Sequence, residues 1–242
     1  MFTLSHFIWL FCSAAVITEL LIFAKKTDMQ PRTASFIMAG IAFVSEFVKM
    51  MSSMEPVAGD DGMVLDPGAL PFHLCSLMVF VVLYIAFSGN EKVKAALIRF
   101  LVPVGIAGAA AAMLIPTSGV DFADIDAWQC FVYHAGLIWY ALYFVVTRRV
   151  DLGLRTYLRN VATLAALALI MIYVNGALSV YNTNFMYVVR PPMSGLPILN
   201  LDHGWYAYFA GLSALGLVLM TVVHLPGMIA EAIRKKAGKS NG

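Results

Sequence analysis

Residues 128–147, WQCFVYHAGLIWYALYFVVT, form an apolar run without a single Asp, Glu, Lys or Arg. The run has the length that an α-helix needs to cross a bilayer, about 20 residues. Six further apolar runs of similar length lie at 4–24, 33–52, 70–88, 97–115, 159–178 and 205–228. The sequence therefore predicts an all-α polytopic membrane bundle of seven transmembrane helices within residues 1–233, followed by a short basic cytoplasmic tail at residues 234–242.

The composition and the positions of the charges agree with this prediction. Hydrophobic residues make up 61% of the chain and charged residues 12%, whereas soluble domains carry about 25% charged residues. All 16 Lys and Arg residues except Lys49 and Arg190 fall in or beside the first, third and fifth connections or in the tail. Because positively charged connections stay in the cytoplasm, we expect the N-terminus outside and the C-terminus inside. The basic residues thus serve topology, and the net charge of +2 does not indicate a nucleic-acid partner.

Polar side chains from four of the predicted helices share one depth near the outer face. With a helical rise of about 1.5 Å per residue, Cys75 lies roughly 8 Å and His134 roughly 9 Å inside that face. Glu46 and Asn175 fall at a similar level. Polar groups are costly inside a bilayer and usually face the bundle interior with a partner, so we expect this layer to form a site.

Cys75 has the most favourable chemical setting in this layer. Pro71 fits the first turn of a helix, so Cys75 would lie within a turn of the helix N-terminus, where the dipole favours a thiolate. An imidazole from another helix at the same depth, His134, would act as its base. His73 is about 200° around the helix from Cys75 and reaches it only if the helix begins irregularly.

Several of these residues also have a structural interpretation. Glu46 and Lys49 are spaced to pair on one helix face, and Asn175 is suited to hold helices together. His224, near the inner end of the last run, is interpreted as a packing residue. Three cysteines are too few for a disulfide framework, although Cys75 and Cys130 both lie near the outer face, which leaves a bridge between them as an alternative.

The connection before the last run, residues 181–192, is too apolar for a solvated loop and too rich in proline for a helix. We expect it to dip into the outer leaflet or to cover a cavity. Its Arg190 lies away from the cytoplasmic side, where a guanidinium can bind a lipid phosphate. The alternative is that Arg190 anchors the chain at the interface.

Two separated motifs resemble a known group, the YwaF-like integral membrane family. Residues 70–76, LPFHLCS, are similar to its LPLHLCS signature, and residues 184–191, NFMYVVRP, are similar to its N-[YF]-M-[YF]…[KR]-P segment. His134 fits the histidine of its fifth helix, and Trp205 and Tyr208 match the start of its last helix. The resemblance implies a seven-helix fold and eukaryotic relatives that are acyltransferases, which move fatty acyl chains between phospholipids through a cysteine at the position of Cys75.

The favoured function is that of a membrane lipid acyltransferase, or of a lipid thioesterase or hydrolase. Cys75 would attack an acyl ester, with His134 acting first as base and then as acid. His73 or Asn175 would bind the oxyanion of the tetrahedral intermediate. The reaction as we envisage it needs no cofactor.

The expected partner is a phospholipid or another acyl lipid within the membrane. Substrate binding is assigned to polar residues of the outer layer and of the last connection: Glu46, Asn175, Asn184 and Arg190. The resemblance to bacterial proteins implies a bacterial plasma membrane, with the site on the outer side.

Two other functions stay open at this point. The residues His73, Cys75, Cys130 and His134 offer two imidazoles and two thiols, a set that suits zinc or copper, so a metal-binding or non-enzymatic membrane module is the alternative. A minor alternative is an ion-coupled transporter that uses Glu46, although the chain has no visible internal repeat.

Overall fold

The computed structural model of the protein describes residues 2–57, 59, 61–193, 195–196 and 199–240. Within them the chain forms seven α-helices and one two-stranded antiparallel hairpin. The helices are α1 (Leu4–Lys26), α2 (Pro31–Ser52), α3 (Leu74–Phe87), α4 (Glu91–Leu114), α5 (Ile125–Val146), α6 (Leu154–Ala177) and α7 (Gly204–Ser240). The strands are β1 (Met54–Pro56) and β2 (Met63–Leu65), which lie in the acidic connection between α2 and α3.

Six of these helices are long and apolar enough to cross a membrane, whereas α3 has only 14 residues. A span needs about 20 residues, so the expected seventh span is not established. The orientation of the termini stays a prediction.

The predicted third helix begins later than expected because of Pro71. A residue before proline is driven out of the helical region, and Leu70 accordingly has an extended backbone (φ −52°, ψ 147°). His73 is also extended (φ −67°, ψ 148°) and forms the N-cap, so that α3 starts at Leu74. Pro71 therefore lies before the helix instead of in its first turn, and Cys75 is the second residue of the helix.

Helix α5 is the centre of the bundle. It packs against α1, α2 and α4, and large aromatic side chains along it, including Trp139 and Tyr140, are fully buried. The Tyr140 hydroxyl shares a hydrogen bond of 2.7 Å with Ser35 Oγ of α2. Helix α3 packs on α2 and α4, and its N-terminal turn lies close to the N-terminal half of α5.

The last helix carries the predicted tail. Helix α7 packs on α4 and α6 and continues without a break past residue 233 to Ser240. The exposed basic residues Arg234, Lys235 and Lys236 thus extend this helix. The final two residues of the predicted tail, 241 and 242, lie outside the described residues.

Candidate functional site

The side chains of Cys75 and His134 are in contact. Cys75 Sγ lies 3.1 Å from His134 Nε2, although 59 positions separate the two residues along the chain. The thiol is half-buried and the imidazole is 7% exposed. Cys75 occupies the first turn of α3, where helix-terminal N–H groups favour a negative charge on sulfur. The arrangement unites a thiol, a base and a helix N-terminus.

The second nitrogen of His134 fixes the state of the imidazole. Nδ1 lies 2.6 Å from the backbone carbonyl oxygen of Cys130. A carbonyl only accepts hydrogen bonds, so Nδ1 carries the proton and Nε2 is left with a lone pair directed at the Cys75 thiol. Cys130 Sγ is also close, 3.6 Å from Nδ1. The Cys130 carbonyl thus orients the imidazole, as an acidic side chain does in a catalytic triad.

Tyr133, which the sequence reasoning missed, fixes the backbone of Cys75. Its buried hydroxyl donates a hydrogen bond of 2.7 Å to the carbonyl oxygen of Cys75. Tyr133 and His134 are neighbours in α5, so one helix holds both the side chain and the main chain of Cys75. A buried phenol normally finds a polar partner, and this was the available signal in the sequence.

Glu46 forms an ion pair with Lys49 on the same face of α2, with Lys49 Nζ 2.5 Å from Glu46 Oε1. Lys49 Nζ also donates to Ser76 Oγ at 2.7 Å. Ser76 follows Cys75 directly, so the pair borders the site through α3. The expected i, i+3 pairing of Glu46 is thus present, and within the described ranges no hydrogen bond joins Glu46 to the Cys75 thiol.

His73 does not approach the thiol by a hydrogen bond. As the N-cap of α3 its ring turns towards the connection between α6 and α7, where its centroid lies 5.5 Å from that of Phe185 and 5.3 Å from that of Tyr187. The interpretation of His73 as an oxyanion donor is therefore not supported. The residue links the start of α3 to the connection that follows α6.

Asn175 holds that connection in place. Its Oδ1 accepts from the Phe185 backbone N–H at 2.8 Å, and its Nδ2 donates to the carbonyls of Phe185 at 3.1 Å and Met171 at 2.7 Å. Both amide hydrogens are thus engaged, which leaves Asn175 unable to bind an oxyanion as expected from sequence. Asn175 thus links α6 by hydrogen bonds to the connection between α6 and α7.

Asn184 also binds backbone atoms rather than a substrate. Its Oδ1 accepts from the backbone N–H groups of Val189 and Arg190, both at 3.2 Å, and its Nδ2 donates to the Arg190 carbonyl at 2.9 Å. The substrate-binding role expected for Asn184 is therefore not supported. The side chain closes residues 184–190 into a compact turn.

Residues 182–190, which we call the strap, contact the start of α3 through His73 and have a strained backbone conformation. Asn182, Met186 and Tyr187 all have φ between 54° and 55°, the left-handed region that non-glycine residues rarely adopt. Helix α7 holds the strap as well, because Trp205 Nε1 donates to the Val188 carbonyl at 2.9 Å and the Tyr208 hydroxyl donates to the Tyr187 carbonyl.

Tyr187 of the strap has a neutral phenol near the thiols. Burial raises the pKa of Tyr187 above its ordinary value, and the neighbouring Cys75 and Cys130 raise this pKa further, while a hydrogen bond with Thr117 opposes the shift. Tyr187 therefore stays protonated at neutral pH. Its ring centroid lies 5.3 Å from that of His73, and the sequence reasoning did not single it out.

The four residues of the alternative metal site do not converge. In the described ranges, no three His, Cys, Asp or Glu side chains are grouped as metal ligands would be. His73 faces the strap, while Cys75 and Cys130 lie against opposite nitrogens of His134. Both cysteines are free thiols, so the alternative Cys75–Cys130 bridge is not formed either.

Comparison with known proteins identifies a family. The model of the TMEM164 family matches residues 1–224, a range that includes α1 to α6, the strap and more than half of α7. No curated protein and no solved structure matches the chain. The resemblance to YwaF-like proteins and to acyltransferases stays a prediction from the motifs. With nearly the whole chain covered by the match, the protein belongs to the TMEM164 family of membrane proteins.

Proposed function

We propose that the protein is a membrane lipid acyltransferase that carries the acyl group on Cys75. The observation that supports this proposal most is the 3.1 Å contact between Cys75 Sγ and His134 Nε2. A thiol next to a basic imidazole is a typical nucleophile for covalent acyl transfer. The backbone carbonyl of Cys130 accepts a hydrogen bond from His134 Nδ1 and so orients the imidazole towards the thiol.

In the first half-reaction the Cys75 thiol gives its proton to His134 Nε2. The thiolate then attacks the carbonyl carbon of an ester in the donor lipid, and a sulfur–carbon bond forms. The ester carbon–oxygen bond breaks, and the departing lysolipid oxygen takes the proton from Nε2. The products are an acyl thioester on Cys75 and a lysolipid, and the Cys130 carbonyl stabilises the imidazolium in between.

In the second half-reaction the hydroxyl of an acceptor lipid gives its proton to His134 Nε2. The hydroxyl oxygen attacks the thioester carbonyl, a new ester bond forms, and the sulfur–carbon bond breaks. The Cys75 sulfur recovers the proton from Nε2. Water in place of the acceptor would give a free fatty acid, which is the reaction of a lipid hydrolase.

The oxyanion of each tetrahedral intermediate would be stabilised by the first turn of α3. The His73 side chain makes no capping hydrogen bond, so the first N–H groups of α3 have no side-chain partner. Donors of this kind, close to the attacked carbon, are the usual oxyanion hole. In this proposal backbone N–H groups bind the oxyanion, and neither His73 nor Asn175 does.

An apolar groove on the other side of α5 would take an acyl chain. It lies between α2 and α5, has a volume of about 420 Å³, and is lined mostly by aliphatic residues, among them Ile41, Val44 and Val132. Gln129, one turn before Tyr133 in α5, borders the groove and donates to Ser45 Oγ at 2.7 Å. The groove thus lies on the same helix as the proposed base.

We further propose that the site lies near the outer face of a bacterial plasma membrane. The distribution of Lys and Arg supports an outer position for the start of α3. The motifs shared with YwaF-like proteins support the bacterial membrane.

The test is an acyl-transfer assay on purified protein in lipid nanodiscs. The donor is a phospholipid with a radiolabelled acyl chain and the acceptor is a lysophospholipid. We expect transfer by the wild type, loss of transfer in Cys75→Ala, and unchanged transfer in Cys12→Ala, because Cys12 is an exposed thiol of α1. Full transfer by Cys75→Ala would exclude the covalent mechanism, and labelled free fatty acid without transfer would identify a hydrolase.

A further inference from the structure

Lys49 is a cation inside the bundle for which the proposed acyl transfer gives no role. Only Lys49 and Arg190 are basic residues away from the predicted cytoplasmic side, and the guanidinium of Arg190 donates to Asn182 within the strap. The side chain of Lys49 is 23% exposed, and that of its ion-pair partner Glu46 is 15% exposed. Ionised groups within a membrane helix are costly and usually serve a function, so this pair needs an explanation.

The member of the pair that bonds to α3 is the ammonium. Lys49 Nζ donates to Ser76 Oγ at 2.7 Å, and Ser76 is the buried third residue of α3, directly after Cys75. The charge also reaches the residue before the helix, because burial and, to a smaller extent, the Lys49 ammonium lower the pKa of His73 to about 4. Lys49 therefore acts on the residues that flank Cys75, and His73 is uncharged at neutral pH.

This position of the ammonium is unfavourable for α3 alone. The N-terminus of a helix carries a partial positive charge, so a cation is disfavoured beside it. The first turn of α3 contains no acidic residue that would offset the two positive charges. A negative charge that forms in this turn would be stabilised by both, as preorganised positive groups stabilise developing charge in enzymes. In the proposed mechanism the atom of this turn that becomes negative is the Cys75 sulfur.

We infer that Lys49 is a positioning residue that holds its ammonium at the start of α3 to stabilise the Cys75 thiolate, and that Glu46 limits this effect. A cation beside a thiol increases the fraction present as thiolate, and the Glu46 carboxylate offsets part of the positive charge. The inference rests on the proposed function, in which the thiolate is the nucleophile.

The groups around Cys75 from the other elements also titrate. They are His134, Cys130 and Tyr133 of α5, Tyr187 of the strap, and His73. Gly108 of α4 lies against Leu74, and residues 100–114 of α4 contain no titratable side chain. Because Cys75 and His134 exchange a proton, the pH at which the thiolate forms belongs to this pair. The fixed charges that modify it come from α2.

Alkylation of Cys75 by iodoacetamide tests the inference, because this reagent reacts with the thiolate and the measurement needs no acyl transfer. The whole chain is used in detergent, in the background Cys12→Ala, which removes an exposed thiol. Prior treatment with neutral hydroxylamine frees Cys75 of any acyl group. The rate at Cys75 is followed over a range of pH by mass spectrometry of its peptide. The quantity compared is the midpoint, the pH at which the rate is half of its limiting value.

The variants change the two charges separately. Lys49→Met removes the cation, Lys49→Arg keeps it, and Glu46→Gln removes the anion. The matched control is Lys94→Met, which breaks an ion pair of the same i, i+3 spacing, Lys94 Nζ to Glu91 Oε1 at 2.8 Å, at the start of α4.

We expect Lys49→Met to raise the midpoint by about one pH unit, because the thiolate loses an opposite charge. Lys49→Arg should largely restore the wild-type midpoint. Glu46→Gln should lower the midpoint, because the ammonium is then no longer offset. Lys94→Met should leave it unchanged.

An ion pair that only joins α2 to α3 would give another result, since the loss of either partner would then act in the same direction. A shift of the same sign in Lys49→Met and Glu46→Gln, or an unchanged midpoint in Lys49→Met, would overturn the inference. If Lys49→Met fails to fold, Glu46→Gln decides: a lowered midpoint supports the inference, and an unchanged or raised one overturns it. Opposite shifts without acyl transfer in nanodiscs would retain the role of Lys49 and reject the proposed function.

Discussion

Two buried histidines of this bundle, His134 and His224, have nearly the same surroundings and lead to different interpretations. Each directs Nδ1 at a backbone carbonyl, His134 at Cys130 O at 2.6 Å and His224 at Leu152 O at 3.1 Å. The second nitrogen of His134 faces the thiol of Cys75. The second nitrogen of His224 faces the amide of Asn160 at 3.2 Å.

The group that faces Nε2 distinguishes the two histidines: His134 is a candidate catalytic residue and His224 is a structural one. Asn160 Nδ2 also donates to the Arg99 carbonyl at 2.8 Å, so His224 belongs to a hydrogen-bond network that links α6 and α7 to α4. This network contains no nucleophile. Burial of a histidine inside a membrane bundle is therefore not by itself evidence of chemistry. His134 has its proposed role because its unprotonated nitrogen, Nε2, faces the Cys75 thiol and because this thiol lies at the N-terminus of a helix.

The largest effect should come from His134→Ala. Loss of the base should lower the rate of acyl transfer by about 10²–10⁴-fold, while the fold persists. The measurement is the initial rate in nanodiscs, with the folded fraction determined by size-exclusion chromatography. A rate within a few-fold of the wild type would remove His134 from the mechanism.

His224→Ala should instead reduce stability. It leaves the Leu152 carbonyl and the Asn160 amide with one partner fewer in a buried place, which we expect to cost about 1–3 kcal/mol. The rate per folded molecule should stay that of the wild type. Thermal unfolding and the transfer assay check the two parts, and a selective loss of rate at unchanged stability would contradict the assignment of His224 as structural.

Tyr133→Phe should have a smaller effect, of about 1 kcal/mol. The substitution removes the hydrogen bond to the Cys75 carbonyl and keeps the ring, so Cys75 should be positioned less firmly against His134. We expect acyl transfer to slow by about three- to tenfold. The control is Tyr140→Phe, which also changes a tyrosine of α5 and removes its hydrogen bond to Ser35 of α2; this variant should retain the wild-type rate.

The smallest signal is the tautomer of each histidine. His134 and His224 should both carry the proton on Nδ1, because that nitrogen faces a carbonyl. His6 should carry it on Nε2, which lies 2.8 Å from the Met113 carbonyl, while its Nδ1 accepts from the Phe2 N–H at 3.2 Å. Nitrogen-15 chemical shifts distinguish the two tautomers. An Nε2-protonated His134 would be unable to accept the Cys75 proton.

The sequence alone predicted the all-helical membrane fold, and it singled out Cys75 and His134, the thiol and imidazole that the structure brings into contact. The apolar runs identify the helices, and the fixed rise of a helix placed Cys75 and His134 at one depth. The predicted start of α3 is wrong, because Pro71 precedes the helix and forces Leu70 into an extended conformation.

The rest of the site depends on how each helix is rotated about its axis and on the conformation of the strap. The depth of a residue in the bilayer determines neither of these. The bond from Tyr133 to the Cys75 carbonyl requires one face of α5 to meet the start of α3. Asn175 was read as a group free to bind an oxyanion. Its amide instead pairs with the backbone of Phe185, ten residues further on, in a connection whose left-handed residues no pattern predicted.

The most direct test of the central proposal is the intact mass of the protein, purified with its native lipid, before and after treatment with neutral hydroxylamine. Wild type and Cys75→Ala are compared. We expect an acyl mass that hydroxylamine removes from the wild type and that Cys75→Ala never carries, because a thioester forms only on the Cys75 sulfur. The absence of any hydroxylamine-labile adduct, together with no acyl exchange on added phospholipid, would contradict the account.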